Sequence, residues 1–399
     1  MKILRIIYDW PPPWQGLAPH PYELTVSQAK KGHTIEIFCG RWPRAGSVET
    51  PKGVKILPIM REPFPGTIFF TSSVVLFFKY LCWRKKNKDV DIIHSHGHFA
   101  VWIYMYRSFL QKFFPWSKEL KTPLVVHFHN IAEDRWNSMV RQKKQISILS
   151  KYLVWPLSVF SDKKAVKSAA ACVFVSMENK KKAIEFYKAN TQRCFVVETG
   201  VNPNLFKPVT QEEKEKSRRD IGFDIYDKIV LNHGVMSERK NILLLIEAMK
   251  FLPRNYKLLL VGSGDSGYMG KINEEIKISG LSDRIMQTGY TPYPQTPVGY
   301  QISDIFVLPS SWEGLPKVVM QGIACGTPCL VSGFKLSREV KGLYYLESLK
   351  PEYIASYITN ILDNPISVDS SRVSAIYSWD ARARELEQVY EFAKKNYLL

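Results

Sequence analysis

Residues 309–332 read PSSWEGLPKVVMQGIACGTPCLVS, and they contain the sharpest fold signal in the chain. A buried strand end leads through a Glu-Gly turn into a helix whose first turn holds Pro316, where the missing N–H costs nothing. Gly326 is expected to end the helix, and residues 329–331 form the next strand. One helix face is predicted to be buried, and it comprises Leu315, Val318, Val319, Gly322 and Ile323.

A helix that starts above the carboxyl edge of an α/β sheet directs free N–H groups and the positive end of its dipole toward the usual ligand position. An anion, most naturally a phosphate, is therefore expected at this helix N-terminus. Glu313 lies next to it in the sequence.

The rest of the chain alternates short apolar runs with helical segments. The predicted strands are residues 2–8, 34–39, 91–95, 124–128 and 171–175 in the first half, and 228–232, 257–261 and 304–308 in the second. This alternation is typical of an α/β fold with parallel sheets covered by helices on both faces. Residues 199–208 (TGVNPNLFKP) are rich in Gly, Pro and Asn and form the candidate linker between two doubly wound domains facing each other across a cleft.

Length and composition are those of a soluble globular protein with two or three domains: 399 residues, of which 45% are hydrophobic and 23% charged. Its six cysteines include no C-x-x-C pair, so neither zinc nor a disulfide framework is indicated, as in a reducing compartment. The opening MKILRIIYDWPPP is interpreted as a strand rather than a signal peptide. A cytoplasmic location is predicted.

The net charge of +18 is concentrated in the first half of the chain. Residues 1–200 hold 31 Lys and Arg against 14 Asp and Glu, whereas residues 201–399 hold 24 against 23. The excess lies beside aromatic runs at residues 67–88, 102–118 and 141–167, a pattern that favours an anionic membrane surface. Plain solvated charge is the alternative.

Two other partners are not indicated by these basic segments. The apolar run at 67–83 is too short for a spanning helix and contains Lys79. No zinc-finger or RNA-recognition pattern accompanies the charge, so nucleic acid is not an expected partner.

The 309–332 segment resembles the signature of glycosyltransferase family 4, retaining GT-B enzymes that transfer a sugar from a nucleoside diphosphate sugar. Glu313, Gly314, Leu315, Pro316 and the turn at 324–328 match the signature. In the family the first Glu contacts the donor sugar, and a second Glu, eight positions later, holds the ribose hydroxyls. Gln321 replaces that second Glu, and an amide still accepts one hydrogen bond and can donate others, so weaker nucleotide binding is expected.

The resemblance extends over nearly the whole chain. The family's G-G-I-A-x-H loop aligns with residues 15–20, its N-G-V-D linker with 199–202, its G-R-L-x-x-x-K with 234–240 and its F-S-W with 377–379. It implies a GT-B fold with two Rossmann-like domains. Residues 1–203 would form an acceptor-side domain, completed by a C-terminal helix within residues 380–399 that packs back on it, and residues 204–379 would bind the nucleotide sugar.

The resemblance also suggests which residues perform the chemistry. Lys240 matches a phosphate-binding lysine, a cation placed where charge grows on the leaving diphosphate. The family's Arg is Val235 here, and Arg239 is a candidate to supply the lost charge. His129, after the strand at 124–128, matches a histidine that contacts the transferred sugar, and His127 is expected on the opposite face of that strand.

Four further residues are predicted near the donor. Gly16 would let the first loop approach the donor phosphate, although Gln15 in place of a glycine crowds that approach. Gly262 and Gly264 form a short turn that could contact the nucleotide, while most such glycines only close turns. Tyr290 is a candidate neighbour of the base.

Two patterns imitate metal motifs, and neither is interpreted as a metal site. The D-V-D at residues 89–91 precedes a strand and is interpreted as a strand entry. His94, His96 and His98 alternate along a strand end without a carboxylate nearby. Catalysis without a metal or other cofactor is predicted, with Lys240 and helix dipoles in the role of the cation.

The main hypothesis is a retaining hexosyltransferase, peripheral on the cytoplasmic face of a membrane, that uses a lipid-linked or glycan acceptor. Front-face attack is implied by the resemblance, with the leaving phosphate accepting the acceptor's proton. Two alternatives stay open. Gln15, Val235 and Gln321 together would suit a catalytically impaired GT-B scaffold, and an epimerase of the same fold would act on the nucleotide sugar itself.

Overall fold

The computed structural model of the chain describes residues 1–14, 16–64, 66–141, 146–313, 316–336 and 338–396. Two compact units are present. The first unit comprises Met1–Thr199 and the C-terminal segment from Trp379, and the second comprises Gly200–Ser378. The predicted boundaries were 203/204 and 379/380.

The first unit is built on a parallel sheet that has seven strands among the described residues, in the order β3-β2-β1-β4-β5-β6-β7. The strands are β1 (Lys2–Asp9), β2 (Thr34–Arg41), β3 (Val54–Met60), β4 (Ile92–His96), β5 (Leu124–Phe128), β6 (Ala171–Phe174) and β7 (Cys194–Val196). Every residue of β4, β5 and β6 is buried, as expected for central strands covered on both faces.

The helices of the first unit cover both faces of that sheet. They are α1 (Pro19–Lys30), α2 (Ser72–Lys86), α3 (Val101–Phe113), α4 (Ala132–Arg141), α5 (Trp155–Ser168) and α6 (Met177–Tyr187). Alternate residues of one strand serve opposite faces: Leu4 and Ile6 join the core under α2, α3 and α5, whereas Ile3 and Ile7 join the core on the other side.

The second unit repeats the plan with a parallel sheet of six strands among the described residues, in the order β10-β9-β8-β11-β12-β13. They are β8 (Lys228–His233), β9 (Tyr256–Val261), β10 (Ile285–Gly289), β11 (Ile305–Leu308), β12 (Cys329–Val331) and β13 (Leu343–Tyr345). Its helices are α7 (Gln211–Ile221), α8 (Ile242–Ala248), α9 (Ser266–Ile278), α10 (Pro297–Ile302), α11 (Lys317–Ala324), α12 (Pro351–Asp363) and α13 (Ser370–Ile376).

The last helix, α14 (Trp379–Asn396), packs on the first unit, as predicted. Its apolar residues recur at helical spacing and join the core that also contains Ile3 and Ile7 of β1. Beside this apolar stripe, Glu387 accepts from Lys31 Nζ at 2.9 Å and lies 2.9 Å from His33 Nε2. The buried residues of the stripe are Trp379, Ala383, Leu386, Val389, Tyr390 and Ala393.

The predicted α/β class and all nine predicted strands are confirmed to within two residues at each end. The four edge strands, β3, β7, β10 and β13, were not predicted. β7 and β13 have only three residues each, and polar residues or proline interrupt the apolar runs of β3 and β10. The prediction for Pro316 was wrong: its backbone angles are extended (φ −72°, ψ 116°), and it precedes the helix instead of lying in its first turn.

The helices of the structure can be compared with the length and apolar character that a membrane-spanning helix requires. In the described part of the chain, no helix combines the length and apolar character needed to cross a bilayer.

Candidate functional site

The carboxyl ends of β8, β9, β10 and β11 lie side by side at one edge of the second sheet. The chain after β8 runs through Gly234 to Met236 and a short 3-10 turn (Glu238–Lys240) before α8 begins. The chain after β11 carries Glu313 and leads to α11. Most of the predicted donor residues therefore belong to neighbouring loops at one sheet edge, where α/β proteins bind ligands.

Lys240 is a buried cation at this edge, with 6% of its surface exposed. Its Nζ donates to the carbonyl of His233 at 3.4 Å, and it forms no ion pair with any residue that the structure describes. Burial lowers the pKa of Lys240 from 10.5 to about 8, while nearby Glu313 raises it and Arg239 lowers it. Such an ammonium is short of anionic partners, which suits it to bind phosphate.

Three glycines let the loops approach one another around Lys240. Gly234 has φ +126°, and a Cβ there would lie 2.4 Å from Lys240 Nζ. A Cβ on Gly262 would lie 2.0 Å from the carbonyl oxygen of Gly234, and one on Gly264 would lie 2.2 Å from that of Met236. Gly262 and Gly264, predicted as nucleotide contacts, thus allow close packing of the β9 loop against the β8 loop.

Glu313 and Arg239 form an ion pair beside Lys240, with Arg239 Nη1 2.5 Å from Glu313 Oε1. The same carboxylate oxygen accepts from Ser310 Oγ at 2.9 Å, and the Glu313 backbone N–H donates to the carbonyl of Gly333 at 2.8 Å. Arg239 also donates to the carbonyl of Trp312 and lies over its ring at 5.0 Å. Glu313 is therefore held in place by both its side chain and its backbone.

Arg239, the candidate for the missing family arginine, forms an ion pair with Glu313, so its charge is already neutralised. Val235, which occupies the aligned position, is 69% exposed. Gly314 and Leu315 lie outside the described residues, and Pro316 stands at the start of α11.

Gln321 lies on the buried face of α11, where its Oε1 accepts from Tyr300 Oη at 3.3 Å. Tyr300 Oη in turn lies 2.6 Å from His233 Nδ1. Burial lowers the pKa of His233 to about 3, so this imidazole is neutral near pH 7. Tyr290, directly after β10, is 44% exposed and available to a ligand at the same edge.

The other predicted site residues, Gly16 and His129, belong to the first unit. Gly16 has φ +56°, and a Cβ there would lie 2.7 Å from Asp9 Oδ2. The Asp9 carboxylate is paired with Arg61 at 2.6 Å and lies 3.3 Å from the backbone N of Leu17. The first loop is thus anchored on an acidic side chain.

His129 lies at the carboxyl edge of the first sheet, in a cluster of five histidines. Its Nε2 lies 3.0 Å from His96 Nδ1, and its ring stacks on His127 at a centroid distance of 4.8 Å with an interplanar angle of 3°. The prediction that His127 faces the opposite side of the strand was wrong, because residues two apart along an extended chain share a face. The members of the cluster are His20, His94, His96, His127 and His129.

Burial lowers the pKa of His94, His96 and His127 well below 6.5, and neighbouring imidazoles and Arg5 lower it further. His94, His96 and His127 are therefore neutral at physiological pH. His98, predicted to share a face with His94 and His96, instead lies in a 3-10 turn with its Nδ1 3.4 Å from the Asp162 carboxylate.

The D-V-D run at residues 89–91 is engaged at the entry to β4. Asp91 accepts from the backbone N–H of Lys2 at 2.7 Å, and Asp89 pairs with Lys2 Nζ at 2.9 Å. Both carboxylates bind the beginning of β1.

Sequence reasoning missed several residues that shape these two edges. Gly234 was noted only as part of a motif, and a glycine directly after a strand was the available signal. His20 was noted only in the first loop, and its edge-to-face contact with the His129 ring, at a centroid distance of 4.6 Å, had no signal in the sequence because the two residues are far apart in the chain. The same holds for Tyr390, whose hydroxyl lies 2.8 Å from His94 Nδ1.

Two family profiles match the chain. Residues 14–205 match the profile described as "Glycosyltransferase Family 4", and residues 213–376 match the profile described as "Glycosyl transferases group 1". Together they cover both units.

Relatives with similar sequences span most of the chain. An uncharacterized glycosyltransferase of Methanocaldococcus jannaschii is 25% identical over 98% of both chains. A D-inositol 3-phosphate glycosyltransferase of Corynebacterium diphtheriae is 24% identical over 94% of this chain and 89% of its own. An alpha-monoglucosyldiacylglycerol synthase of Streptococcus pneumoniae is 23% identical over 81% of this chain and 69% of its own.

Solved structures agree on the fold. Sucrose-phosphate synthase from Thermosynechococcus elongatus superposes with a TM-score of 0.75 at 18% identity over 98% of both chains. Anabaena HepE in complex with UDP superposes with a TM-score of 0.69 at 15% identity, over 98% of this chain and all of its own. With both family profiles matched in sequence order and this fold, the chain belongs to glycosyltransferase family 4 and is a GT-B glycosyltransferase.

Proposed function

We propose that this glycosyltransferase moves a hexosyl group from a nucleoside diphosphate sugar to a hydroxyl of a lipid-linked or glycan acceptor, with retention of anomeric configuration and without a metal ion. The observation that carries the proposal is the buried ammonium of Lys240 beside the Glu313–Arg239 pair. Relatives of the chain support the same substrate classes, since they include a D-inositol 3-phosphate glycosyltransferase, an alpha-monoglucosyldiacylglycerol synthase and a protein solved in complex with UDP.

Lys240 would bind the diphosphate and stabilise its departure. A lysine with its pKa lowered to about 8 by burial lacks a full set of counter-charges, and a diphosphate supplies them. As the bond between the anomeric carbon and the phosphate oxygen breaks, charge grows on the leaving phosphate. A fixed cation at that point stabilises the transition state more than the ground state.

Glu313 would accept hydrogen bonds from hydroxyls of the donor sugar. Its Oε1 already binds Ser310 and Arg239, so the carboxylate is oriented before the sugar arrives. Arg239 neutralises that carboxylate and limits its repulsion of the phosphates.

Retention follows if the acceptor hydroxyl attacks the face from which the phosphate leaves. The acceptor oxygen bonds to the anomeric carbon, the carbon–phosphate oxygen bond breaks, and the acceptor's proton moves to the leaving phosphate. The chain needs to supply no base in this scheme. Its contributions are Lys240 at the phosphate and Glu313 at the sugar.

The first unit would hold the acceptor. His129 is half-buried at the sheet edge, and the next residue, Asn130, lines a pocket together with Trp136 and Trp155. The two indoles stack with their ring centroids 4.5 Å apart. Polar groups beside a wall of aromatic rings suit a sugar or a lipid-linked sugar, whose apolar and hydroxyl-bearing faces they match.

An anionic membrane surface is the proposed location, and the end of α3 is the proposed contact. Trp116 is 74% exposed, and Phe109, Phe113 and Phe114 beside it are also exposed. These rings contact one another: the ring centroids of Phe109 and Phe113 are 5.0 Å apart, and those of Phe114 and Trp116 are 6.0 Å apart. Contiguous exposed aromatic rings are uncommon on a monomer and mark a binding surface.

Cations accompany this aromatic end of α3. Lys112 Nζ lies 5.0 Å from the Phe113 ring centroid, and Lys118 and Lys121 follow in the next turn. Aromatic side chains that enter the interface and lysines that bind anionic headgroups are the combination expected for a peripheral protein on the anionic cytoplasmic face of a membrane.

The central experiment is a hydrolysis screen of UDP-, GDP- and ADP-hexoses with the full chain. We expect slow release of one sugar, abolished by Lys240→Ala and by Glu313→Ala, because each removes a donor contact. Lys250→Ala is the matched control, since Lys250 is an exposed lysine paired with Glu275. Full activity in both site variants would contradict the assignment.

A second candidate function is a GT-B scaffold without transferase activity. It is favoured by Val235, which leaves one family cation unreplaced while Arg239 is bound to Glu313. Calorimetry with nucleoside diphosphates distinguishes the two, because a scaffold of this kind would bind none of them.

The membrane contact is tested with vesicles. We expect the F113S/W116S double variant to lose binding to phosphatidylglycerol-containing vesicles several-fold, and added salt to weaken the remaining binding. Tyr226→Ser is the matched control, since Tyr226 is 79% exposed in the second unit. If the unchanged protein bound neutral vesicles as tightly as anionic ones, electrostatic attraction would not contribute to membrane binding.

A further inference from the structure

The five-histidine cluster has a feature that sugar transfer does not require. β4 and β5 are adjacent parallel strands, and their register pairs His96 with His127. His94, His96 and His127 therefore project from one face of the sheet into the same buried space, where they are 0%, 2% and 0% exposed. We call these three residues the histidine triad.

We propose that the histidine triad binds one transition-metal cation, of the class that prefers imidazole nitrogen and is represented by Zn²⁺. One ring nitrogen from each of the three residues lies within 4.8 Å of the others. Zinc sites place imidazole nitrogens about 2.0–2.1 Å from the metal. The rings of His94 and His96 lie within 19° of parallel to the ring of His127, so the rings must rotate about χ2 before their in-plane lone pairs converge on a shared ion. A fourth position would remain for water.

The hydrogen bonding of the triad indicates which nitrogens are available. Within the described residues, His94 Nε2, His96 Nε2 and both nitrogens of His127 have no hydrogen-bond partner, although all are buried. Unsatisfied buried polar atoms are rare in native proteins and call for an explanation. A metal ion shared by the three rings satisfies one nitrogen of each at once.

The opposite nitrogens of two triad members are already engaged. His94 Nδ1 lies 2.8 Å from Tyr390 Oη, and His96 Nδ1 lies 3.0 Å from His129 Nε2. Metal-binding histidines are usually held by such outer partners, which fix the tautomer and aim the free nitrogen at the metal. In both residues the outer contact leaves Nε2 as the ligand atom.

The charges around the triad select the kind of cation. Arg5, fully buried on the neighbouring strand, opposes any positive ion there, although its guanidinium is directed at α1, where it donates to Pro21, Thr25 and Gln28. The triad itself offers no carboxylate, so Mg²⁺ and Ca²⁺, which require oxygen ligands, are excluded. Only an ion that binds strongly to neutral imidazole would overcome this repulsion.

Metal binding would have a consequence for His129. With the metal on His96 Nε2, the proton of His96 lies on Nδ1 and is donated to His129 Nε2. His129 then carries its own proton on Nδ1. The metal would thus set the tautomer of the histidine assigned to the transferred sugar, and this consequence alone depends on the proposed function.

The test uses the full chain without a polyhistidine tag, stripped with a chelator and titrated with Zn²⁺ and with Co²⁺. We expect one equivalent of metal per chain by elemental analysis, a dissociation constant of about 1 µM or lower by calorimetry, and a Co²⁺ absorption spectrum typical of nitrogen coordination. These readouts are independent of transferase activity. Absence of Zn²⁺ and Co²⁺ binding to the unchanged protein would overturn the proposal.

Variants locate the ion. His94→Ala and His127→Ala should each weaken Zn²⁺ binding by more than about 100-fold. His20→Ala is the matched control within the cluster, because His20 could combine only with His127 and His129 in a different site. Binding that survives His94→Ala and is lost in His20→Ala would overturn the triad assignment, and binding that survives His127→Ala would show adventitious metal only. If a variant does not fold, X-ray absorption of the Co²⁺-loaded unchanged protein must show about three imidazole ligands, and fewer than two would contradict the proposal.

Discussion

The carboxyl edges of the two sheets have the same architecture and opposite chemistry. The second edge carries formal charge, with Lys240 buried beside the paired Glu313 and Arg239. The first edge carries imidazoles whose pKa values are held low by burial, so His96 and His127 are neutral near pH 7. The same α/β plan thus gives one edge suited to an anion and another suited to neutral hydroxyl groups.

The largest expected effect is on donor binding, which we expect to depend on the second edge and not on the first. Lys240→Met should lower kcat/KM for the donor by roughly 10²–10³-fold and weaken UDP binding, because it removes the cation at the phosphates. His129→Ala should lower kcat by roughly 10-fold, the value of about one hydrogen bond in the transition state, and leave UDP affinity unchanged. Steady-state kinetics and calorimetry measure both. A loss of UDP affinity in His129→Ala equal to that in Lys240→Met would break the comparison.

A smaller effect concerns pH. Burial lowers the pKa of Lys240 to about 8, so Lys240 loses its proton, and the enzyme its activity, as the pH rises through about 8. Because Glu313 raises the pKa of Lys240, Glu313→Gln should shift the basic limb of the kcat/KM profile to lower pH. His94, His96 and His127 of the first edge stay neutral over this range, because burial lowers the pKa of each. A shift of the limb to higher pH in Glu313→Gln would contradict the described geometry.

The smallest expected effect tests the loop packing around Lys240. Gly234→Ala and Gly222→Ala both place a side chain at positive φ, and each should cost about 1 kcal/mol of unfolding free energy. Only at Gly234 does the new Cβ meet Lys240 Nζ, whereas Gly222 has open space around it. Gly234→Ala should therefore also weaken UDP binding a few-fold. Denaturant unfolding and calorimetry of the two variants check this, and equal UDP affinity in both would remove Gly234 from the site.

Much of this molecule can be predicted from its sequence because its signals are local. The strands at 124–128 and 329–331 are continuous apolar runs, and their bounds were predicted as the structure has them. Glu313 follows a strand and was placed at the carboxyl edge for that reason, whereas Lys240 was assigned from its match to the family's phosphate-binding lysine. The edge strand β3 was missed because Lys55 and Pro58 interrupt its apolar pattern.

Contacts between distant parts of the chain could not be predicted in this way. The pairing of Arg239 with Glu313 joins two loops, and nothing in either loop indicates that the arginine is bound to the carboxylate instead of standing free for phosphate. The histidine cluster similarly depends on the register of β4 against β5 and on α14, which brings Tyr390 to His94.

The placement of α14 has a consequence for biosynthesis. α1 covers part of this face of the first sheet, but the part that receives Trp379, Leu386 and Tyr390 is covered only after the ribosome has made the entire second unit. An apolar surface of the nascent first unit therefore stays exposed until the last helix leaves the ribosome. We expect premature termination before residue 379 to yield an aggregation-prone polypeptide, even though its first strands and helices are all present.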